Sequence, residues 1–113
     1  MKISAWLVLV SGVCLAGARG SLAADDQPGA APPPEHAAQG RGLYRQLCSN
    51  CHGVNMVNSG ASSFDLRKFP RDDRDRFFTS VARGKNSMPA WGDMLQPDEI
   101  EALWAYVRTG GKP

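Results

Sequence analysis

Cysteine is scarce in this 113-residue chain, with Cys14, Cys48 and Cys51 the only three. Cys14 lies in an N-terminal stretch built like an export signal, so two thiols remain for the body of the protein. That is too few for the disulfide framework on which small exported domains commonly rely. A long apolar run is also missing. Ala5 to Ala16 is interrupted by Ser11 and Gly12 and falls short of the ~20 residues that span a bilayer, which argues against stable membrane insertion. Nor is there an excess of charge. The 13 basic side chains less Lys2 and Arg19 of the leader leave 11, matched by 11 acidic ones, and nucleic-acid binding would want a clustered basic surplus. No alternating strand pattern and no internal repeat are visible, which leaves an all-α fold.

What is present begins with a leader. Lys2, the apolar stretch after it and Ser21-Leu22-Ala23-Ala24 read as a secretory signal peptide over residues 1–24, cleaved after Ala23 or Ala24. Val13 before Cys14 is not the small residue that precedes a lipoprotein cysteine. Residues 25–34 (DDQPGAAPPP) lack large apolar side chains and read as a mobile, extended leader. Residues 35–113 form the domain. Cleavage after Ala24 leaves 89 of 113 residues. A chain that small hides only about 60–65% of its unfolded surface, so its core is marginal unless something fills it.

Three helices are expected. The first starts near Glu35 and carries Ala37, Gly40, Tyr44 and Leu47 on one face, with Gly40 costing ~1 kcal/mol relative to alanine. The second runs from Pro70 to Gly84, with Asp72 and Asp73 in its first turn and Phe77, Phe78 and Val81 as its buried stripe. The alternating charges from Arg71 to Arg76 read as a solvated face. The last helix starts at Pro97 and stops at Gly110-Gly111, with Ile100, Leu103, Trp104 and Val107 as its apolar stripe. Residues 53–63 and 64–67 read as loops.

One pattern carries chemistry. Cys48-Ser49-Asn50-Cys51-His52 places two thiols three residues apart with an imidazole beside the second, the C-x-x-C-H arrangement that attaches a c-type haem through two thioethers and points the histidine at its iron. A redox-active dithiol would need a βαβ setting, and a structural zinc site would need four spaced ligands; neither is visible. A haem fills a small core and replaces the missing disulfides. Its sixth coordination position then decides between electron transfer and chemistry at the iron. The remaining histidine, His36, precedes the first helix near the mobile leader. Met56 follows His52 too closely to reach the opposite face easily. Met88 stands in a turn-rich segment where Pro89 holds it extended, which lets the sulfur project. Met94 is the other candidate, and Met88 could also be plain core filler.

With these residues in place, the chain resembles the class I c-type cytochromes from about Ala37 to Gly110. Gly40 and Tyr44, Cys48 to Gly53, Met88-Pro89-Ala90-Trp91, and Leu103 and Tyr106 carry the resemblance. It implies a small all-α fold of three to five helices around one haem, with the first and last helices crossing at Gly40 so that Gly40 and Tyr44 meet Leu103 and Tyr106. It further implies thioethers at Cys48 and Cys51, His52 as proximal ligand and Met88 as distal ligand. Members commonly hold the imidazole N–H with the carbonyl of a proline soon after the histidine. Here no proline lies between His52 and Pro70, so a carbonyl of the Asn58 to Ser63 loop is expected instead. Trp91 and Arg67 are candidate partners of the haem propionates.

The expected function is a soluble, monomeric, periplasmic one-electron carrier and not an enzyme, with no nucleic-acid partner. Val54, Met56, Met88 and Ala90 would form an apolar docking ring, with Arg67, Lys68 and Lys85 as orienting charges. The Ser63-to-Arg67 and Met88-to-Asp93 segments are similar to cytochromes that serve periplasmic quinoprotein alcohol dehydrogenases, and donation to a cytochrome oxidase is equally compatible. The competing reading is a haem enzyme or sensor whose methionine leaves to admit peroxide or a gas. Against it, no spare His, Asp or Arg is seen near Met88.

Overall fold

The computed structural model describes residues 32–58 and 63–112. The signal peptide, most of the leader and part of the Asn58 to Ser63 loop fall outside them. The described chain forms four α-helices: α1 (Pro34–Leu47), the single turn α2 (Ser49–His52), α3 (Arg74–Arg83) and α4 (Pro97–Arg108). Short 3-10 turns occur at Val54–Met56 and Leu66–Lys68. No strand forms among the described residues; the nearest approach is an isolated bridge between Lys85 and Met88. The all-α expectation holds.

Helix α1 begins at Pro34, inside the stretch assigned to the leader, because proline at the first helical position has no N–H to leave unsatisfied. His36 is therefore within α1 and half-buried, not ahead of the helix. Gly40 meets α4 where the two helices cross. A Cβ there would lie 1.8 Å from the Ala102 carbonyl oxygen and 3.0 Å from the Leu103 nitrogen, so only glycine permits this approach. One turn on, the Tyr44 and Tyr106 rings pack 5.3 Å apart at 58°. The Tyr44 hydroxyl donates to the Gly53 carbonyl at 2.7 Å, joining α1 to the end of the cysteine turn.

Helix α4 starts where proline and the acidic residues place it, and the Gln96 N–H donates to the Glu99 carboxylate at 2.9 Å. Its expected stripe is buried, but so are Ala102, Ala105 and Tyr106. The helix is enclosed by α1 on one side and α3 on another, so it is the core of the protein rather than an amphipathic cover. Trp104 joins Phe69 and Phe77 in an aromatic cluster with ring separations of 5.9 and 5.1 Å.

Helix α3 is shorter than expected. Pro70 to Asp72 make a turn instead of helix, and Asp73 with φ −100° and ψ 59° is the residue before the helix, leaving Asp75 as the acid of its first turn. Its charges are not simply solvated. Arg74 bonds Glu101 across to α4, with Nε to the two carboxylate oxygens at 3.2 and 3.0 Å, and lies 3.9 Å from the centre of the Phe78 ring. Arg71 donates to the Arg108 carbonyl at the end of α4.

Candidate functional site

The cysteine motif occupies the break after α1. Cys48 interrupts the helix, its N–H still bonding the Tyr44 carbonyl at 2.9 Å, and α2 then carries Cys51 and His52 round one tight turn. Gly53 ends that turn at φ 82°, a conformation that suits glycine. Burial, with the charge of Cys51 adding, pushes the Cys48 thiol up to about 11, while Cys51 is exposed. Before attachment, then, Cys48 holds its proton at neutral pH.

His52 Nδ1 lies 3.0 Å from the Phe64 carbonyl. This identifies the group that orients the ring, and it stands one residue beyond the loop from which it was expected. A carbonyl can only accept, so the bond fixes Nδ1 as the protonated nitrogen and leaves the Nε2 lone pair for a metal.

A cavity of about 490 Å³ opens beside this turn. Cys48, Cys51 and His52 form one part of its wall, and Met88, Pro89 and Trp91 form another. Leu47, Phe64, Leu66 and Phe69 supply apolar lining. The methionine segment is hung on α3. The Trp91 and Gly92 N–H groups donate to the Val81 and Ala82 carbonyls at 2.9 and 3.1 Å, satisfying the orphan acceptors of the helix end. Lys85 and Met88 exchange two main-chain bonds of 3.1 and 3.0 Å around a turn in which Asn86 has φ 54°. Gly84 lets the returning Met88 carbonyl pass, since a Cβ there would approach it to 2.7 Å.

The other methionines are elsewhere. Met56 is 0% exposed in the core, which removes it from both the ligand candidates and the docking ring, and Met94 is 67% exposed outside the cavity wall. His36 does not line the cavity either. Arg67 is not on the wall: Asp65 holds its guanidinium through Nε at 2.9 Å and Nη2 at 2.8 Å. That pairing keeps the Asp65 carboxyl below the usual carboxylate range. The cations on the wall are Lys85 and Arg76, with Ser80 one helical turn beyond Arg76 along α3. Sequence reading missed Arg76 and found no arginine near Met88. The available signal was the i, i+4 spacing of Arg76 and Ser80 beside the buried Phe77.

The donor set and the space agree with a haem: two thiols at the attachment spacing, an imidazole with its metal-binding nitrogen free, and an apolar cavity of ligand size. Comparison with known proteins points the same way. Residues 35–107 match the family described as Cytochrome C oxidase, cbb3-type, subunit III. The chain is 37% identical over 75 residues to cytochrome c6 of Gloeothece citriformis, covering 63% of this chain and 68% of that protein. It is 35% identical over 72 residues to cytochrome c6 of Microcystis aeruginosa, covering 60% of this chain and 89% of that protein. It is also 37% identical over 79 residues to the quinohemoprotein alcohol dehydrogenase ADH IIB of Pseudomonas putida, a match covering 67% of this chain but only 11% of that protein.

The chain belongs to the monohaem class I c-type cytochromes. Membership means a covalently bound haem c, and Cys48 and Cys51 stand in the spacing that attaches it.

Proposed function

We propose that the protein is a periplasmic one-electron carrier, with thioethers at Cys48 and Cys51 and with His52 and Met88 as axial ligands. Bound there, the haem supplies an iron that takes up and releases one electron between its ferric and ferrous states. The observation that carries the reading is a single cavity with Cys48, Cys51, His52 and Met88 on its wall while Met56 and Met94 lie elsewhere.

The residues of the chain do the rest. The Phe64 carbonyl keeps the His52 ring from turning. The main-chain bonds to α3 hold the methionine loop in place, which limits rearrangement when the charge on the site changes. Arg76 and Lys85 offer positive charge on the cavity wall to the two propionates, with Trp91 beside them. Val54, Phe64 and Ala90 are exposed apolar side chains, available to the small, weak interfaces that electron-transfer encounters use. Likeness to both carrier cytochromes and a quinohemoprotein dehydrogenase favours exchange with redox proteins, a quinoprotein dehydrogenase as donor or a cytochrome oxidase as acceptor.

The test is the ferric absorption spectrum of the purified protein. A methionine-to-iron charge-transfer band at neutral pH is expected, absent in Met88→Ala and retained in Met94→Ala. Its absence from the unmutated protein would refute this ligation and favour an iron open to small ligands.

A further inference from the structure

A second cavity, of about 610 Å³, lies between the first half of α1 and the end of α4, and it shares no wall residue with the haem cavity. Four cations line it, Arg41, Arg71, Arg108 and Lys112, and no carboxylate does. In a domain whose charges balance as a whole, that segregation has to be explained. Helix polarity explains part of it, because cations are favoured at a helix C-terminus and Arg71 bonds the Arg108 carbonyl there.

Arg41 falls outside that account. It sits in the middle of α1, makes no ion pair among the described residues, and its Nε is buried with no hydrogen-bond partner. A buried unmatched donor is costly, and an anion entering the cavity would relieve it. Burial raises the Tyr106 phenol on the same wall, and Arg41 acts against the rise through its charge and a side-chain hydrogen bond, so one edge of the guanidinium already meets the phenol while Nε is left unmatched. The volume is that of a small-molecule site. Three guanidinium groups and an ammonium match a group with three terminal oxygens better than a carboxylate with two.

We propose that this cavity binds a phosphate group, either of a soluble phosphate compound or of an acidic phospholipid, on the opposite half of α1 from the haem. Calorimetric titration of the holoprotein with pyrophosphate at low ionic strength, against a sodium chloride blank, is expected to show one site per chain. Arg41→Gln and Arg108→Gln should each weaken it roughly tenfold, the scale of one charge-assisted bond. Arg108→Lys, which keeps the charge and loses the fork, should fall between. Arg83→Gln, on the last turn of α3, removes an equal charge and should leave binding unchanged. Sedimentation with phosphatidylglycerol vesicles, phosphatidylcholine vesicles serving as blank, separates the sources. Arg41-dependent vesicle binding assigns the phosphate to a lipid, and pyrophosphate binding without it assigns a soluble compound. An unchanged visible spectrum and thermal midpoint show that the variants are folded. Binding of neither probe, or equal weakening by Arg83→Gln, overturns the proposal.

Discussion

Replacing Gly40 by alanine tests the helix crossing that frames the haem cavity, and Gly42 in the same helix supplies the internal control. At Gly40 the new Cβ would sit 1.8 Å from the Ala102 oxygen, whereas ordinary contact begins at 3.4 Å, so α1 and α4 must part by about 1.6 Å. The obstacle is backbone, which has no rotamer to change. Overpacking of this kind costs about 1–3 kcal/mol, and opening the Tyr44–Tyr106 pair forfeits about 0.5–1.5 more. Helix propensity returns about 1 kcal/mol. The expected net loss is about 0.5–3.5 kcal/mol, which for a domain this size lowers Tm by about 2–28 °C. At Gly42 nothing lies within 4 Å of the added Cβ, so only propensity acts and Tm should rise by about 3–8 °C. Thermal melts of the two ferric holoproteins, followed by far-ultraviolet circular dichroism, give the comparison. Equal midpoints for the two variants would refute the close crossing.

Met88→Ala should lower the reduction potential by tenths of a volt, within the ~0.8 V that axial ligands span, and Met94→Ala should leave it unchanged in protein-film voltammetry. Tyr44→Phe removes the 2.7 Å bond to the Gly53 carbonyl and should cost about 1–2 kcal/mol in guanidinium unfolding at neutral pH. Burial holds the Tyr44 and Tyr106 phenols above their ordinary 10.0. Their contribution to stability is therefore complete below pH 10 and lost as pH rises above it, because the unfolded chain ionises first. The slope contributed by Tyr44 should approach ~1.4 kcal/mol per pH unit above pH 10 and should disappear in Tyr44→Phe. Glu101→Gln removes the ion pair between α3 and α4 and should cost no more than about 1 kcal/mol, a difference that fades in high salt.

The parts of the molecule written in local chemistry were legible beforehand. Proline, acidic residues and a paired glycine bracket α4, and the spacing of Cys48, Cys51 and His52 announces the haem attachment. What escaped depends on where distant segments meet. The Phe64 carbonyl bonds His52 across twelve positions because of how the intervening loop returns, and a backbone oxygen has no signature in side-chain sequence. Arg67 and Arg76 are equally plausible cations by composition; Asp65, two residues away, captures the first, and the turn of α3 brings the second to the cavity. Met56 reads as a loop residue among asparagines and glycines, yet it lies in the core because Asn55 and Met56 adopt φ of 52° and 62° and fold the chain inward. The early start expected for α3 has a similar cause, since Pro70 closes a turn of its own before the helix starts.

The segment carrying Met88 is attached to α3 by main-chain bonds from Trp91 and Gly92, with Lys85 and Met88 bonded to each other within it. Its shape therefore asks little of the side chains at Ser87 and Ala90, while Gly84, Asn86, Pro89 and Gly92 are bound by backbone geometry. The buried weight of the protein rests instead on α1, α4 and the aromatic cluster. On the proposed ligation, foldability and redox tuning would thus fall to different residues, so that mutation could explore the environment of Met88, and with it the working voltage, without first having to rescue the fold.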